Sequence, residues 1–153
     1  MTRVEYGEGD WFVVPLQGGG FGVGLLARAN RDGVLLGYFF GPKRDAVPSL
    51  DDLTDLRPTD ALMVRRFGHL GLARGTWQII GRAKGWDRND WSMPMFVRYE
   101  ELTGRSFHVF YDENDPNKLV REEQAPPSVD EQGAKDGLLG AGAVETVLAT
   151  EMG

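Results

Sequence analysis

The chain has 153 residues, 41% hydrophobic and 10% aromatic, with 17 Lys and Arg against 23 Asp and Glu and a formal net charge of −6. That composition supplies a sizeable core for a single domain and excludes wholesale disorder. With no cysteine there is no disulfide framework, thiolate metal site or thiol nucleophile, and an acidic chain repels phosphate backbones, which argues against nucleic-acid binding.

The N-terminal stretch MTRVEYGEGDWF contains no apolar signal-peptide core, and no run approaches the ~18 apolar residues of a membrane span. A cytoplasmic protein without membrane contact is therefore expected. Trp11 to Leu16 and Phe21 to Leu26 are runs of bulky β-formers on either side of Gln17-Gly18-Gly19-Gly20, the pattern of a hairpin. Val34 to Phe40 follows a second turn at Asn30-Arg31-Asp32-Gly33 and extends the meander to three strands. In the second strand Gly20, Gly22 and Gly24 share one face, which lets a ring or backbone approach closely and lets the strand coil. The first and third strands are apolar on both faces, as an enclosed sheet requires.

Gly41-Pro42 breaks the third strand. Pro48 to Leu56 has Ser49 three residues before Asp52, with Leu50, Leu53 and Leu56 at helical spacing, and reads as a short helix stopped by Pro58. Strands are expected over Ala61 to His69, Thr76 to Gly81, Pro94 to Tyr99 and Arg105 to Tyr111, with a last short one over Lys118 to Glu122. Asp112 to Asn117 is dense in turn formers. After the linker Ala125-Pro126-Pro127-Ser128, residues 130–142 have weak local preference. Ala143 to Met152 places Val144, Val147, Leu148 and Met152 on one helical face. The expected fold is mainly β (α+β): a strongly bent antiparallel sheet or small, partly open barrel with one or two short helices. Residues 1–124 form the β-rich domain, and 125–153 a Pro/Gly-rich linker and helical tail.

The charge is unevenly spread. Leu62 to Arg105 holds eight Lys and Arg against four acids, net +4, which leaves nine against nineteen, net −10, elsewhere. A basic protein partner would be steered to the acidic part, though an acidic surface also serves solubility.

Few motifs carry catalytic chemistry. Gly22-Val23-Gly24-Leu25-Leu26-Ala27 matches G-x-G-x-x-A, but it lies inside a strand and leaves no room for the helix whose N-terminus would meet a pyrophosphate. His69 and His108 are the only histidines, too few for a three-ligand zinc site without converging carboxylates. No serine sits in G-x-S-x-G. No cofactor or metal is expected. Gly85-Trp86-Asp87-Arg88-Asn89-Asp90-Trp91 is the most distinctive loop: two tryptophans five residues apart around a charged run. Exposed, Trp86 and Trp91 with Asp87 and Arg88 are natural interface anchors; folded back, they are lids on the core. Asp112, Glu113 and Asp115 form a second candidate surface for a basic partner, against the plain alternative of a solvated turn.

Taken together, several of these residues give the chain a family likeness. Gly9-Asp10 leading to Phe12 and Pro15, Phe21-Gly22, Phe39, the acidic leucine-rich Pro48 to Leu56, Gly75-x-Trp77-x-x-x-Gly81 and Pro94-x-Phe96 occur in an order and spacing that resemble the immunity protein 26 family of bacterial polymorphic-toxin systems, from about Gly9 to about Glu122. The resemblance implies a mostly β protein, encoded beside a toxin gene, that binds and neutralises the cognate toxin; occlusion without catalysis is the expected mode. Some members carry a phosphotriesterase name, so a small metal-dependent phosphotriester hydrolase is the alternative. The Trp86 to Trp91 loop and the tail beyond Pro127 stand outside the family pattern.

Overall fold

The computed structural model describes residues 4–126 and 133–152. Its first sheet grows from the meander. Strands β1 (Asp10–Pro15), β2 (Phe21–Ala29) and β3 (Val34–Arg44) pair antiparallel in sequence order. Leu16 closes the first hairpin by donating its N–H to the Gly20 carbonyl at 2.9 Å. Gly18, Gly19 and Gly20 there all take positive φ, which side chains rarely tolerate. Asn30 builds the second turn, its Oδ1 accepting from the N–H groups of Asp32 and Val34, both at 2.9 Å.

Strand β4 (Met63–Gly68) adds to β3, and after helix α1 (Leu70–Ala73) strand β5 (Ile79–Arg82) adds to β1. Strands β6 (Phe96–Glu100), β7 (Arg105–Asp112) and β8 (Asp115–Gln124) form a second antiparallel meander. The chain then returns through β9 (Ala134–Lys135), parallel to β6, and β10 (Leu138–Leu139), parallel to β4, and ends in helix α2 (Ala141–Met152). The sheet orders are β10-β4-β3-β2-β1-β5 and β8-β7-β6-β9.

The fold is mainly β with short helices, as expected, and no barrel closes: the two sheets are layered. Each keeps two edges, and aromatic side chains fill the space between them in place of a continuous ladder. On that inner side Trp11, Leu25, Tyr38 and Phe40 of the first sheet meet Phe96 and Val109 of the second. The opposite face of the first sheet is also covered: Phe12, Phe39 and Phe67 pack with Trp77 and with Val144 and Leu148 of α2, all fully buried. A sheet buried on both sides needs strands apolar on both faces, as β1 and β3 are. Breaks in regular register within β2–β3, between Phe21 and Val23 and between Leu26 and Arg28, mark bulges that bend the sheet.

The glycine face of β2 is used as its spacing predicts. A Cβ on Gly24 would lie 2.4 Å from the Phe12 ring, and one on Gly22 would lie 3.0 Å from Met152 of α2. Other segments depart from expectation. The leucine-rich segment makes one 3-10 turn, Leu50–Leu53, capped by reciprocal Ser49 and Asp52 bonds. A strand forms only from Ile79, because Trp77 is drawn into the core, stacked on Phe12 at 5.9 Å with Nε1 donating to Glu145 of α2 at 2.8 Å. The weakly patterned 133–139 becomes two short strands through tertiary pairing. The linker residues Pro127 and Ser128 lie outside the described residues.

Between the sheets a buried cation, Arg66, ties the layers. Arg66 of β4 donates to the Pro116 carbonyl at 3.1 Å and to Asp136 at 3.3 Å, and its guanidinium lies 4.0 Å from the Tyr111 ring centre. Tyr111 in turn donates to Asp136 at 2.7 Å. Burial and the Asp136 bond push the Tyr111 phenol up to about 12, against the opposing charges of Arg66 and Arg98.

Candidate partner-binding surface

The loop joining β5 to β6 is shaped by its own residues. Asp87 accepts from the Asn89 N–H at 3.0 Å and starts a 3-10 turn, Arg88–Asp90. That turn delivers Trp91 to the inner core, where it is 8% exposed. Its ring meets Tyr38 edge-on at 5.2 Å, Trp11 at 6.0 Å and Phe40 at 6.1 Å. Trp86 stays half-buried, 6.3 Å from Trp91 and lying over Gly9, where a Cβ would come within 2.8 Å of the indole. Of the two tryptophans, Trp91 anchors the loop and Trp86 offers a surface.

The β7–β8 turn is likewise locally built. Asp112 accepts from the Asn114 N–H at 2.9 Å. Asp115 accepts from the Asn117 N–H at 2.9 Å and from Asn30 Nδ2 at 3.0 Å. These bonds to the ionised form, with that from Asn117 leading, hold the Asp115 carboxyl below its ordinary range. Glu113 is the exception, because its carboxylate turns back toward the protein.

What meets Glu113 is Arg28, a residue that sequence reasoning passed over. Arg28 sits at the second β2 bulge, 1% exposed. Its Nη2 donates to Glu113 Oε1 at 2.5 Å and to the Arg88 carbonyl at 3.2 Å, its Nε to the Glu113 carbonyl at 2.8 Å, and its Nη1 to the Ala27 carbonyl at 2.6 Å. Glu113 also accepts from the Met93 N–H at 3.1 Å. Arg88 completes the web, donating to Glu8 at 2.9 Å and Asn114 at 2.8 Å. The two candidate surfaces are thus one. Trp86, Asp87 and Arg88 adjoin Asp112, Glu113 and Asp115 across a buried cation, with Glu8, Asn30 and Asn114 added by the fold. The only sequence signal for Arg28 was a charge inside an apolar strand. Tyr38, beneath the loop, donates to the Ser92 carbonyl at 2.5 Å; its phenol is raised by burial and only partly offset by the Arg28 charge.

Beside this surface runs a cleft of about 490 Å³. Trp11, Leu53 and Trp91 line its base, Thr54 to Thr59 one wall, and Ala83 to Trp86 the other. Lys84 of the second wall forms an exposed ion pair with Asp51.

The histidines are separated in the fold. His69 precedes α1 and shares a 2.9 Å hydrogen bond with the Tyr6 hydroxyl, while His108 is half-buried on β7. Among the described residues no three His, Asp or Glu side chains are grouped to hold a metal ion. No described helix is long and apolar enough to cross a membrane.

A family model described as Immunity protein 26 matches residues 7–108. That is two-thirds of the chain, spanning β1 to the middle of β7 with the Trp86–Trp91 loop, and the chain therefore belongs to the immunity protein 26 family. The Asp112–Asp115 turn, β8 and α2 lie beyond the match. No curated protein and no solved structure matches the chain.

Proposed function

We propose that this member of the immunity protein 26 family binds a toxin encoded by a neighbouring gene in the bacterial cytoplasm and neutralises it by occlusion, without catalysis. Family membership carries the reading. The geometry supports the choice of surface. Glu8 and Glu113 pair with Arg28, which is sealed from solvent, and Glu8 also pairs with Arg88, while the two loops that hold Arg88 and Glu113 carry Asp87, Asp90, Asp112 and Asp115. Such a surface draws in a basic partner and speeds encounter. Trp86 supplies an aromatic anchor at its edge, and the Arg28 web presets both loops, so less ordering entropy opposes association.

The test is co-expression and titration with the product of the adjacent reading frame. Rescue of growth, a tight complex, and an association rate that falls steeply between low and physiological salt are expected. Absence of both rescue and binding would overturn the immunity reading. Turnover of the toxin's product or of a phosphotriester by the purified chain would overturn its non-catalytic part.

A further inference from the structure

Away from that surface, a cavity of about 350 Å³ opens between the start of β4, the strand β9 and the C-terminal half of α2. Its size falls in the range of small-molecule sites, which combine apolar walls with a few polar groups. Leu62, Val64 and Val147 supply apolar wall, and Leu62 is left 48% exposed. Arg65, Lys135 and Glu151 supply the charge.

Arg65 is the unusual member. Its neighbour Arg66 spends its terminal nitrogens on Pro116 and Asp136. Arg65 takes part in none of the ion pairs among the described residues. Its Nε, like that of Arg66, is sealed from solvent and has no acceptor, but unlike Arg66 its terminal nitrogens have no protein acceptor among the described residues either. Burial lowers the pKa of this guanidinium, opposed by the Asp136 charge and aided by that of Arg66. A half-buried, unpaired cation is costly unless something supplies the acceptor, and each such group calls for a physical explanation.

We propose that this cavity binds a small amphipathic monocarboxylate. The carboxylate takes the forked terminal N–H donors of Arg65, a geometry that guanidinium matches in two parallel bonds. Lys135 adds charge, and the apolar body covers Leu62, Val64 and Val147. Glu151 on the α2 wall repels a second acid group, which selects one carboxylate over two. The site is separate from the toxin-binding surface and does not depend on the immunity reading.

The experiment is calorimetric titration of the purified full chain with sodium octanoate, alongside octylamine, suberate and inorganic phosphate. Saturable binding of octanoate is expected, at least tenfold tighter than that of the other three. Arg65→Met and Val147→Phe, the second filling the cavity without touching the cation, are each expected to weaken octanoate at least tenfold. Without ligand, Arg65→Met is expected to melt at or above the wild-type temperature, because no protein acceptor is lost. No saturable octanoate binding, equal binding by either variant, or a lowered ligand-free melting temperature of Arg65→Met would overturn the proposal.

Discussion

The Arg28 guanidinium meets the Glu113 carboxylate at 2.5 Å although 85 residues separate them in sequence. The two partners live in different media. Arg28 is 1% exposed, whereas the Glu113 side chain is 49% exposed. The cation is the structural partner, fixed by three backbone carbonyls as well, and the carboxylate is its link to the surface. A charge placed this way turns two separate loops into one face.

The asymmetry sets the outcome of two substitutions. Arg28→Met leaves the Ala27, Arg88 and Glu113 carbonyls short of a donor, and each buried acceptor orphaned in this way costs about 1–3 kcal/mol. Glu113→Gln keeps an amide oxygen to accept from Arg28, whose three carbonyl acceptors and the Glu8 carboxylate at 3.9 Å remain, so a smaller loss is expected. Urea unfolding of both variants measures the difference. Equal losses would mean that Arg28 is held by its carboxylate alone.

The glycine face of β2 gives a packing test. Gly24→Ala puts a methyl group into the Phe12 ring, which is fully buried and itself stacked on Trp77. Neither ring has room to retreat, so overpacking is expected to cost about 1–3 kcal/mol. Gly85→Ala, with nothing within 4 Å but φ at +65°, tests backbone strain without packing. Thermal melts of the two variants separate the contributions.

Gly24 also marks what was legible in the sequence. Alternating glycines opposite an aromatic-rich strand are a local pattern, and period 2 converts it directly into a ring-over-glycine contact. The hairpin turns and the two-faced apolar strands follow from the same short-range rules. The web around Arg28 does not, because an ion pair between residues 28 and 113 leaves no spacing to read. Nor do β9 and β10, whose residues 133–139 have weak preference and become strands only by lying against β6 and β4. The Trp86–Trp91 loop stood between these cases. Its aromatics were visible, but only the aromatic socket of Trp11, Tyr38 and Phe40 decides which tryptophan turns inward.

Tyr111 fixes the alkaline arm of stability. Its phenol is raised from 10.0 to about 12 in the folded chain, so between those values the folded state retains a proton that the unfolded state has lost. The contribution is fully present below pH 10 and is lost as the pH rises toward 12. Tyr38 is shifted in the same direction, chiefly by burial. Denaturation midpoints from pH 9 to 12 are expected to fall less steeply in Tyr111→Phe than in the wild type, and the difference between the curves cancels the titration of lysines. At the acid end the sign is reversed. Asp52 and Asp115 are held below 3.8 by local hydrogen bonds, so what they add is lost only as the pH drops below that value.

The two tryptophans separate folding from binding in the proposed function. Trp91→Ala removes a ring that is 8% exposed and packed by Trp11, Tyr38, Phe40 and Trp86, and truncating a buried aromatic costs about 3–5 kcal/mol of stability. Trp86 is half-buried at the edge of the acidic face, so Trp86→Ala is expected to fold with a smaller loss. As an interface anchor it would nevertheless weaken toxin binding by about 2 kcal/mol or more, roughly thirtyfold in Kd. Replacing Asp112 and Asp115 by Asn changes little inside the fold, since both accept mainly from turn N–H groups and Asn30. Their loss is expected to slow association and flatten its salt dependence, leaving dissociation nearly unchanged. Stopped-flow binding of these variants to the neighbouring gene product reads both rates. If Trp86→Ala and the Asp112/Asp115 double variant both bind and rescue like the wild type, the toxin docks elsewhere on the chain, and the cleft between residues 54–59 and 83–86 is the next surface to substitute.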